Sequence, residues 1–420
     1  MNVLVLGGGG REHALAWKIS QSPLVQKVFI APGNAGTLEM GENIVLDTHN
    51  HEAVAALCRE RNIELVVVGP DDLLASGIVD SLRKENILVF GPTKAAAEIE
   101  WSKSYAKELM REEEIPTARS EIFTEFEPAL RYVKARGAPI VIKADGLALG
   151  KGVTVAATLS EAEQALREAF LERKFGEAGS KVVLEEFMTG LEISVHALCA
   201  GEEALMFPSA KDHKRIGEGD MGVNTGGMGT IAPVPGVGAE IIEDIRSRIV
   251  LPLLRGLKKR GRPFSGLLFP GIMLTAEGPK VIEFNARFGD PETQSYMRLM
   301  KGDIVPALFA TARGSLDSVT LTWEEGSAAC VVLASGGYPG SYERGKEIHI
   351  GPLSENVVVF HAGTTRGSSG TLLTNGGRVL NVTALSSSLH DARTNAYGGV
   401  SAISFPGMQY RKDIGASVCP

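Results

Sequence analysis

The sequence predicts a multidomain α/β and α+β protein that opens with a doubly wound parallel sheet. Two patterns carry that prediction. Over the first hundred residues, short apolar runs end in Gly or Pro and lead into helical stretches. This strand–turn–helix repetition belongs to parallel sheets, whose ligands sit beyond the carboxyl ends of the strands. From about Leu321 onward, short strands alternate instead with glycine-rich turns. A chain of 420 residues can build two to four such units, each with its own core.

The first strand is Val3–Leu6, followed by Gly7–Gly10 and a helix from about Arg11 to Ser20. Val28–Ala31 is the second, closed by Pro32-Gly33-Asn34-Ala35-Gly36, and Leu65–Val68 the third, closed by Gly69-Pro70-Asp71. Val89–Phe90 ends a fourth before Gly91-Pro92, so all four loops should converge on one rim. A helix over about Trp101–Glu113 stops before Ile115-Pro116. Next come strand Ile140–Lys143, a glycine loop, strand Val153–Ala156, helix Glu161–Glu172 and strand Lys181–Phe187. A polar stretch from Lys211 to Met228 precedes a helix at about Ala239–Arg260 and a hairpin over Gly266–Asn285. The tail places strands at Ala329–Ser335, Val357–Ala362 and Arg378–Ala384, and a helix near Leu389–Gly399. These breaks suggest units at 1–118, 119–188, 189–322 and 323–420.

Composition removes several classes of function. The chain is 44% hydrophobic and 22% charged, as ordinary globular proteins are. With 43 Lys and Arg against 50 Asp and Glu, its net charge of −7 argues against sequence-independent nucleic-acid binding. Cys58, Cys199, Cys330 and Cys419 lie far apart with no Cys-x-x-Cys pair, which points to a reducing compartment. The opening residues run into glycines without a basic leader, and no apolar run is long enough to span a bilayer. A cytoplasmic location is expected.

Five segments could do chemistry. In Ile140–Val153 a strand ends in Lys143, and a loop carrying Gly146, Gly150, Lys151 and Gly152 follows. Glycines let backbone close over phosphate oxygens and lysines supply mobile charge; the same residues could form a glycine-rich hairpin with two solvated lysines. In Val281–Glu292, Glu283 and Asn285 lie two apart on a strand and share a face, while Ile282 and Phe284 are expected to face the core. A carboxylate and an amide oxygen so placed can hold Mg²⁺ (or Mn²⁺), and Arg287 would follow to meet a phosphoryl oxygen. An edge strand with a polar face is the plainer alternative.

The third segment, Glu185-Glu186-Phe187-Met188 leading to Glu192, suits a nucleotide hinge, with backbone groups for an adenine edge and Glu192 for ribose hydroxyls. Solvated acidic residues at a strand end would look the same. The fourth, Asp212-His213-Lys214-Arg215 and Asn224–Gly229, is long for a passive connection; His213 is at least as readily a structural histidine as a base. The last, Gly7–Gly10 with Arg11 and His13, opens a helix and favours a phosphate. It fails as a dinucleotide fingerprint, because either glycine frame meets Glu12 or His13 where a third glycine belongs.

Together these segments resemble the ATP-grasp superfamily, and within it the phosphoribosylamine–glycine ligase family. The resemblance is carried by Gly7–Ala16, Pro32–Thr37, Ile115–Ala118, Lys143–Ala148, Asp212–Arg215, Asn224–Gly229 and Glu283–Gln294. In the tail it is carried by Gly336–Pro339, His361–Thr364, Gly376–Leu380 and Tyr410–Ile414. It implies ATP-driven ligation of glycine to 5-phosphoribosylamine through glycyl phosphate, with ATP and Mg²⁺ as cofactors and a monomeric enzyme.

By that resemblance Lys103, Lys143, Gly150, Lys151, Glu185, Glu186, Phe187, Met188 and Glu192 are expected at the nucleotide. Glu283 and Asn285 are expected at the metal, and Arg287, Lys143, Asp212 and Asp290 at the chemistry. Gly8, Gly9, Gly10, Arg11, Asn34, Gly36 and Thr37 are candidates for the ribose phosphate. Trp101, Leu191, Lys211 and Asp71 depart from the residues common in the family. A sister ATP-grasp ligase or carboxylase, or a nucleotide-binding sensor without catalysis, are the alternative readings.

Overall fold

The computed structural model describes residues 1–146 and 152–418; Gly150, Lys151 and Cys419 lie outside the described residues. Strands β1 (Asn2–Gly7), β2 (Lys27–Pro32), β3 (Glu42–Asn43), β4 (Ile63–Val68) and β5 (Val89–Phe90) form a sheet in the order β3-β2-β1-β4-β5. All its pairings are parallel. The apolar runs of β1 and β4 are buried on both faces, as a sheet flanked by helices requires. The rim expected from the Gly and Pro endings is therefore present, with helix α1 (Gly10–Ile19) leaving it directly after β1.

The helix expected over Trp101–Glu113 is present as Lys103–Glu112, and a separate helix, Lys94–Trp101, precedes it with a break at Ser102. Ser102 is extended, and its hydroxyl accepts from the Tyr105 N–H at 3.3 Å, so a serine cap restarts the chain at Lys103. Lys103 and Lys107 then share a face one turn apart.

A four-stranded sheet follows, ordered β6-β9-β7-β8, from β6 (Ser120–Phe123), β7 (Ile140–Ala144), β8 (Val153–Ala156) and β9 (Val182–Glu186). Helices Phe126–Arg136 and Leu159–Phe170 cover one side with a core of small and branched residues. The large sheet has eight strands. It runs from β16 (Gly278–Asn285) through β15 (Ser265–Thr275), β10 (Leu191–Ala200), β11 (Glu203–Asp212) and β14 (Gly229–Ala232). Three tail strands, Ser327–Ala334, Arg378–Ser386 and Val357–His361, then extend it. Between β11 and β14 the polar stretch forms a small hairpin, β12 (Arg215–Gly217) and β13 (Met221–Asn224).

One expectation needs correction. Ile282 and Phe284 do not both face the core: Phe284 is buried, whereas Ile282 is half-buried. The register against β15 shifts there, with Gly271 opposite Glu283 and Ile272 opposite Val281, so Ile282 is the extra residue of a bulge. The bulge turns its carbonyl toward the neighbouring sheet.

Candidate active site

The bulge is where the two sheets meet. Lys143, at the end of β7, is only 3% exposed and donates from Nζ to the Ile282 carbonyl at 2.8 Å. The next residue is Glu283, so the lysine of the small sheet lies beside the strand that carries the carboxylate of the large one, close enough for its charge to act on it. Burial works against the Glu283 charge, yet Lys214, Lys143, Lys103 and Arg287 outweigh it and draw the carboxyl down to about 2. Lys214 Nζ stands 3.6 Å from Glu283 Oε1 and 2.6 Å from Glu192 Oε1. Lys103 is pushed down by burial, against the pull of Glu283.

Glu185, on β9, does not point to solvent. Its carboxylate lies between Lys143 Nζ at 3.0 Å and Lys107 Nζ at 3.2 Å, with all three side chains buried. Lys107 also donates to Thr117 Oγ1 at 2.8 Å and to the Ala118 carbonyl at 3.2 Å. Burial lowers the Lys107 ammonium to about 8, with Glu185 opposing. Glu186 accepts from the Arg119 N–H at 3.0 Å, and Phe187 is exposed beside it with Met188 following. This segment thus keeps one acid inside and places the others on the connector toward Glu192.

Beyond Glu283 the strand ends in a tightly built corner. Asn285 Oδ1 accepts from Arg287 at 3.3 Å, while its amide donates to the Phe269 carbonyl at 3.3 Å, so the amide oxygen faces the arginine side. Arg287 pairs with Glu100 at 3.0 Å, and Glu100 also accepts the Ala286 N–H at 2.8 Å. Burial raises the Glu100 carboxyl, with Arg287 opposing. The buried Nε of Arg287 and Oδ1 of Asp212 have no partner among the described residues. Asp212 is driven up by burial and by Glu292, against Lys214 and Arg378. Asp290 receives Arg378 at 3.0 Å and Gln294 at 2.7 Å. Burial would raise its carboxyl, but Arg378 and Arg11 hold it below the ordinary range.

The first-domain loops reach the same corner. The Gly9 N–H donates to Glu12 Oε2 at 2.6 Å, and the Arg11 guanidinium bonds Glu12 and the Phe288 carbonyl. A Cβ on Gly9 would meet Glu12 at 2.8 Å and Asp290 at 3.3 Å; one on Gly8 would meet the Gly33 carbonyl at 2.6 Å. Asn34 ties the loops together, donating to the Gly8 carbonyl at 2.9 Å and accepting from the Gly36 and Thr37 N–H groups. The N–H groups at the start of α1 retain no intrahelical acceptor.

Thus Lys103, Lys143, Glu185, Glu192, Glu283, Asn285 and Arg287 come together, with Asp212, Asp290 and Gly8–Arg11 adjoining. Asn34, Gly36 and Thr37 stand behind the glycine loop, largely bonded to one another. Residue-by-residue reading passed over Lys107, Glu100 and Arg378 and gave Lys214 no role. The one-turn spacing of Lys103 and Lys107 was the available signal for the first. Glu100 and Arg378 had no local signal, since their partners lie 187 and 88 residues away in Arg287 and Asp290.

Comparison with known proteins agrees along the whole chain. Residues 1–100 match the N domain of phosphoribosylglycinamide synthetase, 101–293 its ATP-grasp (A) domain, and 328–417 its C domain. A phosphoribosylamine–glycine ligase from Mesorhizobium japonicum is 51% identical over 99% of this chain and 98% of its own. That of Salmonella typhimurium is 48% identical over 99% and 98%. The crystal structure of the Thermotoga maritima phosphoribosylamine–glycine ligase superposes with a TM-score of 0.85 at 34% identity, covering 99% of this chain and 100% of that one. A biotin carboxylase domain from Hydrogenobacter thermophilus shares the fold, with a TM-score of 0.74 at 17% identity over 97% of this chain and 91% of that one. The chain belongs to the phosphoribosylglycinamide synthetase family, carrying its N, ATP-grasp and C domains in order.

Proposed function

We propose that this cleft joins glycine to 5-phosphoribosylamine, driven by ATP, to give glycinamide ribonucleotide, ADP and phosphate in purine biosynthesis. The observation that supports the site assignment best is the approach of Lys143 to the strand carrying Glu283, brought together from two sheets through the Ile282 carbonyl. A glycine carboxylate oxygen attacks the γ-phosphorus, the bond to ADP breaks, and glycyl phosphate forms. The amine nitrogen then attacks the acyl carbon, and phosphate leaves.

Lys103 and Lys143 face the nucleotide phosphates, Glu185–Met188 form its hinge and Glu192 meets the ribose. Gly150 and Lys151, outside the described residues, are read as further contacts to those phosphates. Such transfer depends on positioning and on charge stabilisation more than on proton movement. Glu283 and Asn285 fit a divalent cation, Mg²⁺ or Mn²⁺, because one ionised carboxylate and one amide oxygen leave room for phosphate oxygens. That ion would neutralise phosphate charge when bound. Arg287, with its unpartnered Nε, meets the acyl phosphate, and Asp212 and Asp290 meet the amine and amino acid. Gly8, Gly9, Gly10 and Arg11 hold the ribose phosphate, and Asn34, Gly36 and Thr37 brace that loop. Residues 1–118 thus serve the phosphorylated amine, 119–188 and 189–322 the nucleotide and metal, and 323–420 closes the acceptor side. Among the described residues no helix is long and apolar enough to cross a membrane. A cytoplasmic monomer is our reading.

The test is product formation followed by mass, with glycine and freshly generated phosphoribosylamine. ADP release must require both. ADP release that ignored glycine and followed bicarbonate would favour a carboxylase on the same fold, and tight Mg-ATP binding without turnover would favour a sensor.

A further inference from the structure

We infer that Arg378 is a positioning residue for the acceptor half of the reaction, holding the Gly226 peptide and Asp290 in one frame from the tail. This rests on the ligase reading above.

Arg378 opens the strand Arg378–Ser386 and leaves the tail for the large-sheet corner. One guanidinium nitrogen donates to the Gly226 carbonyl at 2.5 Å and to the Asp290 carbonyl at 2.6 Å. The second pairs with the Asp290 carboxylate at 3.0 Å. The Gly226 residue is also held on its N-terminal side, where its N–H donates to the Tyr338 hydroxyl at 3.0 Å. Two tail side chains therefore grip one residue of the Asn224–Gly229 loop through both of its backbone polar groups.

Glycines make the grip possible. A Cβ on Gly226 would stand 3.1 Å from the Arg378 guanidinium carbon, and one on Gly377 would lie 2.3 Å from the Tyr338 ring. A Cβ on Gly227 would be 2.7 Å from Asp212 Oδ1, so the gripped loop lies directly over that carboxyl. Asp290, the other object of the grip, faces Gly9 of the first-domain loop. Arg378 thus ties together the carboxylates assigned to the amine and amino acid. Among the described residues it bonds none of the groups assigned to the nucleotide. A planar fork that reaches two carbonyls and a carboxylate is geometry an ammonium cannot reproduce.

Steady-state KM values for ATP, glycine and freshly generated phosphoribosylamine decide the matter in wild type, Arg378→Met, Arg378→Lys and Tyr338→Phe. Loss of charge-assisted bonds should raise KM for glycine and phosphoribosylamine about ten- to hundredfold in Arg378→Met, leaving the ATP value and the ADP-binding melting shift unchanged. Arg378→Lys should fall between. A merely structural arginine would raise all three KM values together or lower melting without any split, and either result overturns the inference. Should Arg378→Met fail to fold, Tyr338→Phe decides: about a threefold rise confined to the same two substrates supports the grip, and unchanged values refute it. Wild-type turnover that did not need glycine would instead defeat the ligase reading itself.

Discussion

Replacing Glu283 by Gln removes the one carboxylate proposed at the metal and should be read twice, in turnover and in stability. The side chain faces Lys214, Lys143, Lys103 and Arg287, which carry its carboxyl from the ordinary 4.5 to about 2 despite burial. That displacement corresponds to ~3 kcal/mol of net attraction. The side chain is 33% exposed, so solvent screening reduces this to ~2 kcal/mol. Glu283→Gln removes the carboxylate these four cations share, leaving Lys214, Lys143 and Arg287 only their separate partners Glu192, Glu185 and Glu100, and the empty protein should lose about that amount at pH 7. A carboxyl lowered on folding stabilises above its unfolded value and ceases to do so as pH falls from about 4.5 toward 2. The difference between wild type and variant in urea denaturation should therefore begin to shrink below about pH 4.5. Turnover, measured as glycine- and phosphoribosylamine-dependent ADP release, should fall about 10²- to 10³-fold. Near-normal rates at ordinary Mg²⁺ would refute the metal assignment. Equal denaturation midpoints at pH 7 would refute the charge cluster.

Two further outcomes follow from the buried ionisable groups. Lys107→Met should destabilise the protein by about 1–3 kcal/mol in urea, since Glu185 keeps only Lys143. In wild type the native ammonium sheds its proton near 8 while the unfolded one keeps it to about 10.5. This group therefore makes stability rise with pH across that window, and the variant should lose that slope. Asp212→Asn should raise the melting temperature at pH 7 by an amount equivalent to about 1 kcal/mol, while activity falls. Its carboxyl is raised on folding by burial and Glu292, so wild type loses stability as pH climbs above 3.8. A melting gain that persisted unchanged at pH 4 would show that the carboxyl is not the cause.

Much of the architecture was readable because it depends on local rules. Val3–Leu6 before four glycines, and Leu65–Val68 before Gly69-Pro70, mark strands of a parallel sheet wherever they occur. Glu283 and Asn285 share a face because strand period is two, and Lys143 lies next to the end of its strand because a glycine-rich stretch follows. Local pattern failed at Ile282, where a bulge breaks the alternation, and at Lys94–Trp101, a helix it did not mark, which ends where the Ser102 cap starts the expected one.

By itself the sequence determined the order of units, the candidate chemistry of each and the membership of a family whose motifs run along the chain. Tertiary structure decided which charges meet. Glu185 reads as a solvated hinge acid until Lys107 and Lys143 are seen to close on it from a helix and from the adjacent strand. Arg378 reads as a tail residue until three tail strands extend the central sheet and bring it to Asp290. The reason is physical: Coulomb attraction and desolvation depend on distance and burial in space, neither of which is a function of separation along the chain.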